Sequence, residues 1–203
     1  DRICDNQELY DKYAPMMQKY NPKWGMGDII IKDRTGEGVI NDEDRTVIGN
    51  SIPRFTFGLN LGFEYKGFDF SCFFQGVGKA DGYVTMEAIQ PMGINGARKE
   101  HYKESFNPQD PKPGAYFPRI LSSDYNYAYM SHWVQDASYI RLKNLQIGYS
   151  FKIKGLNQLR VYASGENLFT ATKYRTWDPE TPVGARGFYP NVAVYSMGVN
   201  LNF

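Results

Sequence analysis

The most constraining feature of this sequence is the strict alternation of residues 195–203. Apolar side chains occupy every second position and small or polar ones lie between them: Tyr195, Met197, Val199, Leu201 and Phe203 against Ser196, Gly198, Asn200 and Asn202. A period of two places the two sets on opposite faces of a β-strand. An apolar lipid face and a polar lumen face are typical of a strand in a transmembrane β-barrel. The alternative is the final strand of a soluble β-sandwich.

Composition agrees with a barrel segment and not with a helical membrane protein. The chain has 203 residues with 16 Tyr, 13 Phe and 3 Trp, yet its mean hydropathy is −0.52. No stretch approaches the roughly 20 consecutive apolar residues of a membrane-spanning helix. The net charge of +1 predicts no nucleic-acid partner. The two cysteines, Cys4 and Cys72, form neither a disulfide framework nor a metal-binding spacing.

Five segments have the length and alternation of barrel strands, which makes the predicted fold all-β. They are 54–65, 68–77, 139–151, 158–168 and 193–203. Only Lys66-Gly67 separates the first two, which predicts a tight hairpin. In the third segment, Ile140 and Leu142 alternate in one phase and the residues from Leu145 onward in the other. This change of phase predicts a β-bulge near Lys143-Asn144.

The connections between these strands are either short or long. The long segments are 78–138 and 169–191, and a third, 1–53, precedes the first strand. Outer-membrane barrels have short periplasmic turns and longer extracellular loops. This rule predicts that the three long segments are extracellular and that the C-terminus is periplasmic. Because known bacterial barrels have at least eight strands, residues 54–203 are expected to form the C-terminal part of a barrel whose other strands lie upstream.

The alternation also predicts which side chains face lipid and which face the lumen. Those expected to face lipid are Phe57, Leu59, Leu61, Phe63, Phe70, Phe74, Tyr195, Val199 and Leu201. Those expected to face the lumen are Asn60, Glu64, Asp69, Gln75 and Asn200. A slip of one residue in the pairing would exchange the two sets.

Several motifs follow one another in a specific order along the chain. They are GDIIIKD (27–33), GEGVINDEDR (36–45), IGN (48–50), GLNLGF (58–63), YKGFD (65–69), FQGV (74–77), DASYIRLKNL (136–145), NLFT (167–170) and DPE (178–180). This succession resembles the C-terminal region of SusC/RagA-type TonB-dependent outer-membrane transporters. The resemblance runs from about Gly27 to Phe203 and so covers most of the chain.

The resemblance implies a large barrel of the 22-stranded, plugged type in the outer membrane of a Gram-negative bacterium. Such transporters import a large nutrient, commonly an oligosaccharide and in some members a peptide, together with a SusD-like surface lipoprotein. TonB acts on an N-terminal plug domain, which would belong to the rest of the transporter. In barrels of this kind an aromatic C-terminal residue, here Phe203, serves as a signal for the assembly machinery.

The segment Asp33–Asp44 fits the twelve-residue frame of an EF-hand calcium loop, which needs five oxygen ligands, one backbone carbonyl and one glycine. The matching residues are Asp33, Thr35, Glu37, Asn41 and Asp44 for the oxygens, Val39 for the carbonyl and Gly38 for the turn. Thr35 replaces the usual Asp or Asn, and Asp44 is shorter than the usual glutamate. The alternative is a plain acidic turn with Asx-type hydrogen bonds. Calcium is the one possible cofactor that the sequence indicates.

The residue inventory argues against an enzyme. The two histidines, His101 and His132, lie in polar segments without a nucleophile or metal-binding spacing, and no common catalytic motif occurs. Two function classes remain: the C-terminal part of an importer, and a soluble, calcium-stabilised carbohydrate-binding β-sandwich. A sandwich would need a second sheet to cover the apolar face of the hairpin 54–77.

Overall fold

The structure, a computed structural model, describes residues 1–84, 86–91, 96–111, 113–120, 125–155, 157–175, 177–181, 189 and 191–202. Phe203 and residues 182–188 of the predicted loop 169–191 lie outside this described part. The chain forms two compact units. The first unit contains Asp1–Gly49 and Tyr83–Val134, and the second contains Asn50–Gly82 and Gln135–Phe203.

Strands and helices follow in the order β1 (Arg2–Ile3), α1 (Gln7–Tyr20), β2 (Ile29–Ile30), β3 (Phe55–Tyr65), β4 (Phe68–Gly78), β5 (Asp81–Tyr83), α2 (Met86–Ile89), α3 (Lys99–Glu104), β6 (Val134–Asp136), β7 (Tyr139–Phe151), β8 (Gln158–Thr172) and β9 (Val194–Asn202). Short 3₁₀ turns occur at Asp42–Asp44, Tyr125–Tyr127 and Ser131–Trp133. In the part of the chain that the structure describes, no helix is both long and apolar enough to cross a membrane.

The second unit is built on a five-stranded antiparallel sheet with the order β3-β4-β7-β8-β9. The five predicted strands are confirmed. Strand β8 continues to Thr172 because its last residues pair with the start of β7. The strands form an up-and-down meander. Its two short connections, 66–67 and 152–157, lie at one end, called here the short-turn end, and its long connections lie at the long-loop end.

The register brings most of the apolar residues of the five strands onto one face. The pairing of β7 skips Lys143 on both of its sides, which confirms the predicted bulge. Without this bulge Leu145 would lie on the opposite face from Leu142. The apolar face comprises Phe57, Leu59, Leu61, Phe63, Phe70, Cys72, Phe74, Ile140, Leu142, Leu145, Ile147, Tyr149, Val161, Tyr195, Met197, Val199 and Leu201.

The opposite face of the sheet is mostly polar. It carries Asn60, Glu64, Asp69, Gln75, Arg141, Gln146, Arg160 and Asn200. The two sets separated by the sequence therefore lie on opposite faces, although the environment of each face stays a prediction. The other sheets among the described residues have only two strands each, and Leu61 near the centre of β3 keeps 49 % of its surface exposed. This arrangement does not support the β-sandwich alternative.

A two-residue turn joins β3 to β4, as the sequence predicts. Lys66 and Gly67 both have positive φ, at 48° and 87°, which is the requirement of the type I′ turn favoured in tight hairpins. Gly67 also accepts a hydrogen bond from the backbone N–H of Ser150 at 2.7 Å. A side chain at this position would collide with that same residue's carbonyl oxygen. The turn therefore needs glycine for two independent reasons.

The first unit has its own small apolar core, although much of it was predicted only as loop. Helix α1 begins at Asn6, whose side chain accepts from the backbone N–H of Leu9 at 2.9 Å, as a good N-cap does. Its buried Met17 packs in a cluster that includes Trp24 and Ile30. Residues 1–49 of the predicted loop segment 1–53 thus belong to a compact unit, and its extracellular position stays a prediction.

Candidate functional site

A network of charged side chains occupies the polar face at the long-loop end of the sheet. Alternation along β7 places Arg141 on this face, and Asp178 and Glu180 follow β8 in the chain. The Arg141 guanidinium donates to both carboxylate oxygens of Asp178 at 2.8 Å and to Glu180 at 2.9 Å. Its Nε donates to the Thr170 hydroxyl at 2.7 Å. These bonds attach the segment after β8 to the five-stranded sheet at β7.

The Glu180 carboxylate is shared among several donors. Besides Arg141, it accepts from the Lys143 ammonium at 2.9 Å and from the Tyr139 hydroxyl at 3.0 Å. Asn191, just before β9, donates to it at 2.6 Å. Lys143 is the bulge residue of β7, because the strand pairing skips it on both sides. The bulge residue therefore supplies one of the cations that bind Glu180. The Glu180 side chain therefore bonds both to β7 and to the residues just before β9.

Burial makes this network costly to disrupt. Arg141 is only 2 % exposed, and a cation removed from water needs close partners to offset its lost hydration. Two cations, Arg141 and Lys143, face two anions, Asp178 and Glu180. The charges balance, which is the arrangement in which a buried network is tolerated.

A second ion pair crosses three strands nearer the short-turn end. Arg160 of β8 donates through Nε and Nη2 to the two carboxylate oxygens of Asp69 of β4, at 2.9 and 2.5 Å. The intervening strand β7 places Gly148 beneath the pair, where any side chain would overlap both charged groups. Arg160 also lies over the Tyr162 ring, 4.8 Å from its centroid. The predicted lumen residue Asp69 thus belongs to a fixed bidentate pair.

The predicted metal-binding turn is ordered by its own carboxylates. Asp33 accepts from the backbone N–H groups of Gly36 at 2.6 Å and Gly38 at 2.7 Å. Asp44 accepts from the backbone of Arg34 at 2.7 Å and of Asn41 at 3.0 Å. Such side-chain to backbone bonds are those of an Asx-type turn.

The remaining frame residues are placed around the same turn. The Thr35 hydroxyl lies 3.2 Å from Asp33 Oδ1 and 3.4 Å from Asp44 Oδ1, so three of the proposed oxygen ligands converge. Glu37 accepts from the Asn41 amide at 3.3 Å on the other side. The exposed fractions of Val39 and Asp44 are 42 % and 9 %. Across the described residues, no group of three or more His, Cys, Asp or Glu side chains could hold a metal ion.

Calcium binding by this turn therefore stays a prediction. We expect Asp33→Ala to abolish any calcium-dependent protection of residues 33–44 from hydrogen exchange and to leave the five-stranded sheet unchanged, since the turn precedes β3. Glu43→Gln is the matched control, because this exposed acid lies inside the turn but outside the set of proposed ligands. Equal protection with and without saturating calcium in the unaltered protein would identify a plain acidic turn.

Backbone hydrogen bonds also make this turn sensitive to acid. The Gly38 N–H lowers the pKa of Asp33 most, and the Arg34 N–H lowers the pKa of Asp44 most. A folded-state pKa below the unfolded value of about 3.9 means that the bonds stabilise the turn above that pH and are lost as the pH falls through the lowered value. We expect the hydrogen-exchange protection of the Gly38 and Arg34 amides, corrected for intrinsic rates, to fall as the pH is lowered below about 4. Unchanged protection would contradict this.

The first unit contains a buried polar cluster that the sequence did not reveal. Asp28, 1 % exposed, accepts from Arg119 through Nε at 2.8 Å and Nη2 at 2.6 Å, and from the Asn126 amide at 2.8 Å. Hydrogen bonding to this carboxylate raises the pKa of Arg119 further. Asn126 in turn accepts from the backbone N–H of Ile29 at 2.9 Å. The motif at 27–33 contained Asp28, but nothing in its spacing pointed to partners more than 90 residues away.

Comparisons with known proteins identify relatives over most of the chain. It is 34 % identical over 201 residues to TonB-dependent receptor P3 of Formosa agariphila, covering 87 % of this chain and 19 % of the relative. TonB-dependent receptor P39 of the same organism is 33 % identical, covering 98 % and 21 %. TonB-dependent receptor SusC of Bacteroides thetaiotaomicron is 27 % identical, covering 97 % and 19 %. No family model matches the chain.

A solved structure shares the fold. The structure of the RagAB peptide importer in the open-open state matches with a TM-score of 0.61 and 25 % identity, covering 76 % of this chain and 18 % of that one. The antiparallel strands and this match define the chain as a C-terminal segment of a transmembrane β-barrel. It belongs to the SusC/RagA family of TonB-dependent receptors, which are outer-membrane proteins. The chain spans about one fifth of the length of the relatives it matches. The names of these relatives describe receptors and an importer, not enzymes.

Proposed function

We propose that the chain forms the C-terminal strands and loops of a TonB-dependent importer that takes up a large nutrient with a SusD-like surface lipoprotein. The observation that carries this proposal is the continuous apolar face of five antiparallel strands, opposite a polar face with ion pairs. In a closed barrel the first face meets lipid and the second lines the lumen. The outer edges of β3 and β9 would pair with the upstream strands of the same transporter, since unpaired edges are not tolerated in lipid.

The proposed nutrient is an oligosaccharide. Tyr102 and Tyr129, both in the connection between β4 and β7, are each 88 % exposed, and Tyr189 before β9 is 81 % exposed. Exposed rings that carry a hydroxyl suit stacking on sugar rings or packing against a partner protein. A peptide is the second candidate, and the match to a peptide importer favours it. TonB and the plug domain would act through the parts of the transporter outside this chain.

Cysteine labelling tests the proposed orientation in the membrane. Gly114→Cys, in a long connection, is expected to react with an impermeant thiol reagent on intact cells. Gly155→Cys, in a short connection, is expected to react only after the outer membrane is broken. The two positions are a matched pair, because both glycines have positive φ, at 80° and 94°, and both lie outside the strands. Labelling in the reverse order would invert the topology.

Uptake tests the function itself. Cells that carry the full-length transporter are expected to take up fluorescent oligosaccharides from a panel of glycans, and cells from which its gene is deleted should not. Deletion of the gene for the SusD-like partner lipoprotein should reduce the same uptake. Uptake of labelled peptides alone would assign the second candidate, and unchanged uptake of both classes after deletion would overturn the importer proposal.

A further inference from the structure

A cavity of 430 Å³ lies within the second unit at the long-loop end of the sheet. Gln75 and Val77 of β4 and Tyr139 of β7 line it from the polar face, together with the bulge residue Lys143. The segment Pro179–Thr181 lines it as well. The volume lies within the range of about 300–1,000 Å³ that is common for small-molecule sites.

The polar groups of this cavity are held in place by a chain of hydrogen bonds. The Gln75 amide donates to the Tyr139 hydroxyl at 3.4 Å, and that hydroxyl donates to Glu180 at 3.0 Å. Lys143 reaches the same carboxylate at 2.8 Å. Groups that are already oriented by the fold lose little conformational freedom when a ligand binds. The cavity therefore has the fixed donors and acceptors that recognition of a polar ligand needs.

The charged groups that line the cavity already have partners within the protein. Asp81 accepts from the backbone N–H of Asn50 at 2.8 Å, and Glu180 pairs with Lys143 and with the buried Arg141. An anionic ligand would meet these two acids, and a cationic ligand would compete with the donors that already bind them. A neutral ligand that offers hydroxyl groups as donors and acceptors avoids both costs.

Apolar surface is interleaved with these polar groups. Val77, Ala80, Ala137 and Pro179 also line the cavity. A sugar ring presents both kinds of surface, C–H groups on its faces and hydroxyls around its rim. We propose that this cavity binds a terminal or internal neutral sugar unit of the imported glycan. The inference rests on the proposed function and goes beyond it by assigning the site to specific residues.

The test uses the purified full-length transporter and three neutral disaccharides: maltose, cellobiose and lactose. Saturation-transfer NMR is expected to detect binding of at least one of them to the unaltered protein. Gln75→Leu, which keeps the side-chain size but removes its polar atoms, should weaken that binding at least tenfold. Gln146→Leu is the matched control, because Gln146 lies on the same face of β7 but outside the cavity. It should bind as the unaltered protein does.

A second variant distinguishes loss of the binding site from a change in folding. Ala137→Leu fills the cavity without removing a polar group and should also abolish binding, while heat-modifiable migration in gels confirms that each barrel has assembled. Equal binding by the unaltered protein and both cavity variants would place the sugar elsewhere and overturn this inference, while glycan uptake by cells would leave the proposed function standing. Binding of none of the disaccharides, or displacement of them by dialanine, would overturn the assignment to a sugar.

Discussion

Arginine at Leu61 is expected to destabilise the assembled barrel by about 2–4 kcal/mol, the cost of a cation on the lipid face near the middle of the bilayer. Leu61 lies next to the central residue of the eleven-residue strand β3 and pairs with Cys72 of β4 on the apolar face. The measurement is the yield of folded, heat-modifiable transporter in outer membranes and its midpoint of unfolding in denaturant. We expect both to fall sharply.

The neighbouring position supplies the control. Asn60 lies one residue away on the polar face, opposite Phe73, so arginine there would enter the lumen and cost little. Comparing adjacent positions removes differences in depth and strand pairing, because only the face changes. Equal defects at Leu61 and Asn60 would show that the apolar face does not meet lipid, and would remove the basis of the proposed topology.

Replacing Arg141 by methionine is expected to release the segment after β8, at a cost of about 3–5 kcal/mol, the usual effect of removing one partner from a buried ion pair. The Arg141 side chain is 3 % exposed and the Asp178 side chain 11 %, so Asp178 would be left without its cation in a poorly hydrated place. The measurement is the rate of tryptic cleavage after Lys173 and Arg175, which should rise strongly. The five-stranded sheet should persist, since the network lies at one end of it.

Lys143→Met is the matched control for this effect. The Lys143 side chain is 23 % exposed, and Glu180 would keep its bond to Arg141. A partly hydrated pair contributes far less than a buried one, so cleavage should rise only slightly. Similar cleavage rates in the two variants, or no acceleration in either, would show that Arg141 does not hold the segment after β8 against the sheet.

The strands and their faces could be predicted because they depend on local sequence. Residues i and i+2 of a strand share a face whatever the strand pairs with, so the alternation of β3 and β9 was sufficient to assign their faces. The change of phase after Leu142 likewise indicated the bulge, because an extra residue is the simplest way to keep Leu145 with the other apolar side chains. The Lys66-Gly67 turn could be predicted because turn type also depends on local sequence.

The order of motifs along the chain carried the family assignment, and the relatives confirm it. Helix α1 could also have been found from sequence. Asn6 is a favourable N-cap, and apolar residues such as Leu9, Tyr13 and Met17 recur at helical spacing after it. This helix and the compact core around it lie within the segment 1–53 that was predicted as a loop.

The amino-acid sequence by itself determined the five strands, their apolar and polar faces, the bulge and the hairpin, since each follows from the period of two and from local turn chemistry. Only the tertiary structure decided which charges meet. Arg141 joins Asp178 and Glu180 across 37 and 39 positions, and Asp28 joins Arg119 across 91. Such pairs depend on strand order and on how each long connection returns, and no local spacing encodes either. The ion network and the cavity beside it therefore became visible only when the sheet was assembled.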